Sequence, residues 1–232
     1  MNRNFRAVIC DVYRTILDVG PGPMDAERRW AELHSAAFGE APLLSLAGLN
    51  AGCRAMVERD HAVARRLGVE FPEVVWRDVM RRVLPELGTL SPPGEAEFLD
   101  QHMRLERSVS VMNGAVEFLA ACRERGILLG IASNAQPYTL RELAECGVEI
   151  GWFEPDLCVW SFENGFSKPN PHVFRMLSAR LAHRSIGASE VLMVGDREDN
   201  DVVPARAAGW GTFWFGEEGG WPEVRERASL GE

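Results

Sequence analysis

The sequence predicts an α/β fold, a doubly wound parallel sheet with helices on both faces, carrying an all-helical insert near its start. Three observations predict it. Ala7-Val8-Ile9-Cys10 is a short apolar run with β-branched residues at its centre, which suits a strand buried on both faces of a parallel sheet. From Asn113 onward, helix-period segments alternate with strand-length apolar runs, the rhythm of βαβ units. Between these two regions, residues 20–108 carry the helical period alone.

The first strand ends on Asp11, which places a carboxylate at the carboxyl edge of a central strand, where open α/β sheets bind ligands. Asp also starts turns and caps helices, so this residue needs company to mean more. Pro21-Gly22-Pro23 continues neither helix nor strand and reads as a hinge. Beyond it, Trp30, Leu33, His34, Ala37 and Phe38 share one helix face. Leu46, Leu49, Cys53, Met56, Val63 and Leu67 mark a second helix that Gly68 would close. Val75 to Leu84 and Glu95 to Arg107 give two more, separated by the break Ser91-Pro92-Pro93-Gly94. The aromatic and Met faces of these helices read as the core of the insert. The division predicted is residues 1–19 with 109–232 as the α/β unit and residues 20–108 as the helical one.

In the second half, a helix from Gly114 closes at Gly126, and a strand over Ile127–Ala132 delivers Ser133-Asn134. Leu140 and Leu143 belong to the next helix. A third apolar run, Leu157–Trp160, is followed by a loop to Ser167-Lys168-Pro169 and a helix carrying Val173, Phe174, Leu177 and Leu181. Val191–Val194 is the fourth strand and ends in Gly195-Asp196; after a short helix to Gly209 comes the last apolar run, Trp210–Phe215. Residues 216–232 are polar and predict nothing definite.

At 232 residues and 46% hydrophobic, the chain can bury a substantial core. A net charge of -9 argues against nucleic acid or an anionic membrane as the main partner, so an anionic small molecule would need a locally positive site. The five cysteines (Cys10, Cys53, Cys122, Cys146, Cys158) are odd in number and lack a CxxC pair, as expected of reduced thiols in a cytoplasmic protein. No apolar stretch approaches membrane-spanning length. The histidines His34, His61, His102, His172 and His183 show no ligand spacing and read as structural. An exposed Trp in the insert would mark a homodimer face.

Asp11, Ser133-Asn134, Lys168 and Asp196 each follow a strand of one parallel sheet, so they should converge on one edge. Lys168 is the sole lysine among 25 basic residues. A chain that otherwise uses arginine has, at this point, a compact point charge in place of a planar fork.

Taken together, Asp11-Val12-Tyr13-Arg14-Thr15, Ser133-Asn134, Ser167-Lys168-Pro169 and Gly195-Asp196-Arg197-Glu198-Asp199-Asn200-Asp201 resemble, in order and position, the motifs of the haloacid dehalogenase-like (HAD) hydrolase superfamily. The resemblance implies a Rossmann-like core with the helical insert as its cap, and a hydrolase with Asp11 as nucleophile. It implies Mg²⁺ held by Asp11, the Tyr13 carbonyl and Asp196, with Asp201 either orienting a water or favouring its helix N-terminus. Ser133 and the backbone of Asn134 would donate to the transferring group, and Lys168 would neutralise charge shared with Asp11. Tyr13, Arg14, Thr15 and Asn134 are the expected substrate contacts.

Two departures stand against this pattern. Family phosphatases usually carry a second Asp two residues after the nucleophile, as general acid and base, where this chain has Tyr13. With an ordinary pKa near ~10, tyrosine is poorly poised for that work at neutral pH. Arg14 stands where glycine is usual and would either reach an anionic substrate or lie in solvent. The Asp-x-Tyr pattern resembles the 2-haloacid dehalogenases, which need no metal, yet those carry Ser-Asn in place of Gly195-Asp196 and hold the substrate carboxylate with a cap arginine. Arg28, Arg29 and Arg54 are equal candidates for that role. Three expectations follow: a Mg²⁺-dependent phosphohydrolase acting on a small phosphorylated metabolite or activated phosphoryl group, a metal-free dehalogenase-like hydrolase, and a ligand-binding member without turnover.

Overall fold

A computed structural model describes residues 4–229. The chain forms two compact units, one of residues up to Asp18 and from Ser110 onward, the other Val19–Val109. Seven strands are present among the described residues: β1 (Ala7–Cys10), β2 (Leu17–Pro21), β3 (Arg107–Val111), β4 (Leu128–Ser133), β5 (Cys158–Trp160), β6 (Val191–Gly195) and β7 (Gly211–Trp214). Five of them make one sheet in the order β5-β4-β1-β6-β7, with every pairing parallel. β2 and β3 pair separately as a two-stranded ribbon. The helical period predicted no strand at either end of the insert, and this ribbon is a difference from that expectation.

β1 is central because all four of its residues are apolar and its two faces are used equally. Val8 and Cys10 pack with Phe118, Leu119, Leu129, Ile131 and Val194, whereas Ala7 and Ile9 pack with Val173, Phe174, Leu177 and Met193. The period of two along a strand makes that division, and it explains why the run has no polar residue until Asp11. Cys10 aligns with Ile131 of β4 and Val194 of β6, so the ends of these strands come level.

The helical unit contains α1 (Ala26–Phe38), α2 (Leu46–Arg66), α3 (Trp76–Val83) and α4 (Pro92–Glu106). Ser45 and Ser91 accept from Gly48 N and Gly94 N at the starts of α2 and α4, each satisfying a donor that the first turn leaves free. Its core centres on Trp30, with Leu49, Cys53, Met80, Leu87 and Phe98 around it. Trp30 is buried and Trp76 only half-buried, so the expected exposed Trp of the insert is not there.

The sheet is flanked by α5 (Ala115–Glu124), α6 (Tyr138–Glu145), α7 (Ser161–Asn164), α8 (Pro171–His183), α9 (Val203–Ala207) and α10 (Trp221–Arg227). The loop expected after β5 contains α7. A π-helical turn, Glu198–Val202, precedes α9. The stretch that predicted nothing definite holds α10, whose Trp221 lies against Phe118 and Phe215 at ring-centroid distances of 4.8 and 5.3 Å. All five cysteines are unbridged. Among the described residues, no helix is long and apolar enough to cross a membrane.

Candidate active site

The turn after β1 wraps on one carbonyl. Val12 O accepts from Ile16 N and Leu17 N, both at 2.8 Å, and Arg14 N donates to Leu17 O at 2.6 Å. This tight path puts Arg14 at φ +61°, a left-handed conformation that side chains rarely adopt. Arg14 is exposed, Tyr13 half-buried and Thr15 fully enclosed.

Asp11, Lys168 and Asp201 meet at the carboxyl edge of the sheet. Lys168 Nζ donates to Asp11 Oδ1 at 2.7 Å and to Asp201 Oδ1 at 2.5 Å, and all three groups are buried. Burial pulls the Lys168 ammonium down, but the charges and hydrogen bonds of Asp11 and Asp201 outweigh it and hold the group up at about 12. Burial pushes Asp11 up against the pull of Lys168, and it lifts Asp201 to about 6. Asp196 is raised as well, by burial first and by the nearby Asp201 second. Asp201 reaches Lys168 because its π-helical turn packs on Gly195, where an added Cβ would stand 2.4 Å from Asp201 Cγ. The turn also delivers Arg197 N to Asp201 Oδ2 at 3.1 Å.

Asp11, Asp196 and Asp201 each offer a carboxylate oxygen, and those atoms lie within 4.8 Å of one another. Three carboxylates face one ammonium, so the cluster carries two uncompensated negative charges when ionised. That donor set suits a hard divalent cation. The backbone of Asp196 is fixed by Trp214 Nε1, which donates to its carbonyl at 3.0 Å.

The expected substrate contacts are not all placed alike. Asn134 spends its side chain on Lys168: its Oδ1 accepts from Lys168 N at 2.7 Å and its Nδ2 donates to Lys168 O at 3.0 Å. It clamps the lysine's main chain, so its side chain is a positioning group. Thr15 is enclosed by the core, its carbonyl accepting from Trp221 Nε1 at 3.1 Å. Its Oγ1 is buried and has no hydrogen-bond partner among the described residues. Ser133 is buried at the end of β4, and its Oγ has no hydrogen-bond partner among the described residues. An orphaned buried hydroxyl costs free energy, and a ligand oxygen would satisfy it.

Tyr13 makes contacts that its sequence position did not suggest. Its hydroxyl lies 2.6 Å from Thr139 Oγ1 and donates to Glu142 Oε2 at 2.5 Å. Both partners belong to α6 and are buried. The two leucines that marked this helix in the sequence divide, since Leu143 is buried and Leu140 is 36% exposed, and Thr139 and Glu142 are the residues buried beside Leu143. The signal was there in the spacing, since Thr139 and Glu142 stand three apart in the helix after Ser133-Asn134. Arg28 and Arg29, candidates for a substrate arginine, are exposed and paired with Asp25.

A doubly wound parallel sheet with a buried carboxylate, lysine and carboxylate cluster at its carboxyl edge places these groups where open α/β sheets bind their ligands. The family model for haloacid dehalogenase-like hydrolases matches residues 5–209, and the chain belongs to that family. It is similar to the phosphoserine phosphatase of Thermus thermophilus, 34% identical over 137 residues that cover 59% of this chain and 52% of the relative. It is also similar to the glyceraldehyde 3-phosphate phosphatase of Pyrococcus abyssi, 35% identical over 102 residues, 44% of this chain and 41% of the relative. The chain thus spans about half or less of the length of these relatives. In fold it is similar to the 2-haloacid dehalogenase from Pseudomonas syringae pv. Tomato, with a TM-score of 0.64, 18% identity, and coverage of 97% of this chain and 98% of the other.

Proposed function

We propose that the protein is a Mg²⁺-dependent phosphohydrolase that uses Asp11 as nucleophile on a small phosphorylated metabolite or an activated phosphoryl group. The observation that carries this reading is the buried cluster in which Lys168 bridges Asp11 and Asp201. A carboxylate held at a strand end is a serviceable nucleophile toward phosphorus. Lys168 would balance the charge that Asp11 shares with the transferring group, and the unpartnered Ser133 hydroxyl would donate to one of its oxygens. A phosphoryl group could then pass to Asp11 and from there to water, with positioning and electrostatics supplying most of the rate. Asp11, Asp196 and the carbonyl of Tyr13 would hold Mg²⁺, with Asp201 beside them, and the bound ion would neutralise charge on the phosphoryl oxygens. The names of the phosphatase relatives support a small phosphorylated substrate.

Turnover of a panel of phosphorylated metabolites and acyl phosphates tests the reading. Activity should require Mg²⁺, vanish with EDTA, and fall by at least ~10³-fold in Asp11→Asn. Activity that survives either treatment would remove Asp11 or the metal from the account.

A second reading rests on Tyr13 in place of a second carboxylate. A 2-haloacid dehalogenase would displace halide with Asp11 and need no metal. Halide release from 2-haloacids in the presence of EDTA would support it, and Asp196 within the carboxylate cluster weighs against it.

A further inference from the structure

The hydroxyl of Tyr13 has one proton, and the hydrogen bonds around it decide where that proton goes. Gln136 N donates to Thr139 Oγ1 at 3.3 Å, and because Tyr13 has a single proton, which goes to Glu142, the Thr139 hydroxyl is the donor in its 2.6 Å contact with Tyr13. Tyr13 in turn donates to Glu142 Oε2 at 2.5 Å, which spends its one proton. The chain of donors runs one way, from the backbone of Gln136 through Thr139 and Tyr13 to Glu142. Thr139 is fully enclosed and Glu142 is 7% exposed, so water competes poorly for either partner.

Resting on the phosphohydrolase reading, we propose that Thr139 and Glu142 are positioning residues that commit the Tyr13 proton to the protein. Substrates are thereby restricted to phosphoryl groups whose leaving group departs unprotonated, with acyl phosphates as the fitting class. In that reaction an oxygen of Asp11 forms a bond to phosphorus as the bond from phosphorus to the acyl oxygen breaks. The electron pair leaves with a stable carboxylate, and no proton moves. Water then attacks the phosphorus, Asp11 departs as a carboxylate, and both hydrogens of the water remain on the phosphate released. The side chain two residues from the nucleophile has nothing to donate and serves as a fixed wall anchored on α6.

The test is a series of aryl phosphates with leaving phenols of graded pKa, together with acetyl phosphate, assayed with Mg²⁺. In the wild type, kcat/KM should fall by at least ~10²-fold from the best to the worst leaving group, the factor an internal acid would otherwise supply. Tyr13→Phe should lower every rate by about fivefold, one ordinary hydrogen bond, and leave the dependence on leaving group unchanged. Glu142→Gln and Thr139→Val should do the same, and adding either to Tyr13→Phe should cost nothing more. A merely structural role would not give that non-additive pattern. A flat wild-type series, or a Tyr13→Phe loss confined to poor leaving groups, would overturn the proposal and leave the phosphohydrolase reading standing. Absence of turnover with every ester and acyl phosphate would remove both. A readout without metal or substrate is also available, because the chain has two tyrosines, Tyr13 and Tyr138. In protein labelled at the tyrosine ζ-carbon, the Tyr13 hydroxyl proton should exchange slowly with water, and it should exchange fast in Glu142→Gln. Fast exchange in the wild type would overturn the proposal independently of any rate.

Discussion

Arg14 shows how much one backbone angle can carry. Its φ of +61° follows from the hydrogen bonds that close the turn on Val12, so the conformation is imposed whatever side chain stands there. A non-glycine residue in this region costs about 1–2 kcal/mol, part of which glycine returns as unfolded-state entropy. Arg14→Gly should therefore raise stability by about 0.5–1 kcal/mol, read as a higher urea midpoint at unchanged m. The arginine is exposed, and its charge bears on Asp196. If it also meets an anionic substrate, the same variant will raise KM and leave kcat alone. A gain in stability without a change in KM would make Arg14 a solvated residue. The sequence identified the unusual residue at this position, but its cost became visible only with the angle. Lys168 is the converse case. Being the sole lysine in an arginine-rich chain, it was conspicuous beforehand, and it lies between the two carboxylates that the structure draws together.

At the level of elements, what the sequence disclosed was set by periodicity. β1 and β6, as well as α1 and α8, have apolar patterns that match their burial, so their places and the convergence of the strand ends could be read from spacing; in α2 the predicted face is buried only as far as Cys53, and its last members Val63 and Leu67 are 44% and 80% exposed. Short elements carry too few residues for a period. The four-residue α7 and the π-helical turn of Glu198–Val202 were missed for that reason, whereas β2 and β3, each longer than β1, were missed because they are mostly unburied and have no apolar run. The polar inner face of α6 was missed because an apolar search finds leucines, and here the buried positions belong to Thr139 and Glu142. α10 is the most consequential omission. It follows Gly219-Gly220 in a stretch dominated by charge, yet Trp221 is 1% exposed, stacks near Phe118 and Phe215, and donates to the carbonyl of Thr15. That bond ties the last helix to the turn after the first strand. Trp221→Ala should cost about 3–5 kcal/mol, the range for deleting a fully buried aromatic. Because Thr15 lies in the same turn as Asp11, kcat should fall as well, even where the variant remains folded. A destabilised protein with unchanged kcat would show that α10 contributes packing alone.

For the whole molecule, two units with separate cores need not share one response to acid. The helical unit contains a group that sets its own limit. His102 on α4 is fully buried, neither ring nitrogen has a hydrogen-bond partner among the described residues, and its ring meets Trp30 edge-on at 6.0 Å. Burial lowers its pKa from the ordinary 6.5 to about 4. The folded unit thus keeps the imidazole neutral over a range in which the unfolded chain would bind a proton. Above about pH 6.5 both states are neutral and the group has no effect. As pH falls from there, the unfolded state takes up the proton first, and stability is lost progressively until the folded pKa near 4 is passed. The full loss is of order 3 kcal/mol. The contrast with His34 is instructive, since that ring is equally buried but has the carbonyl of Glu40 and the carboxylate of Glu86 within hydrogen-bonding reach. Amide hydrogen exchange, corrected for intrinsic rates, should show protection in α1 to α4 declining between pH 6.5 and 4 while β1, β4 and β6 hold. Carboxylates titrate in the lower part of that range, so the decisive quantity is the difference between the wild type and His102→Leu. Without an imidazole to protonate, the variant should gain on the wild type with every step toward pH 4, and a constant difference across the range would mean that His102 remains unprotonated in both states.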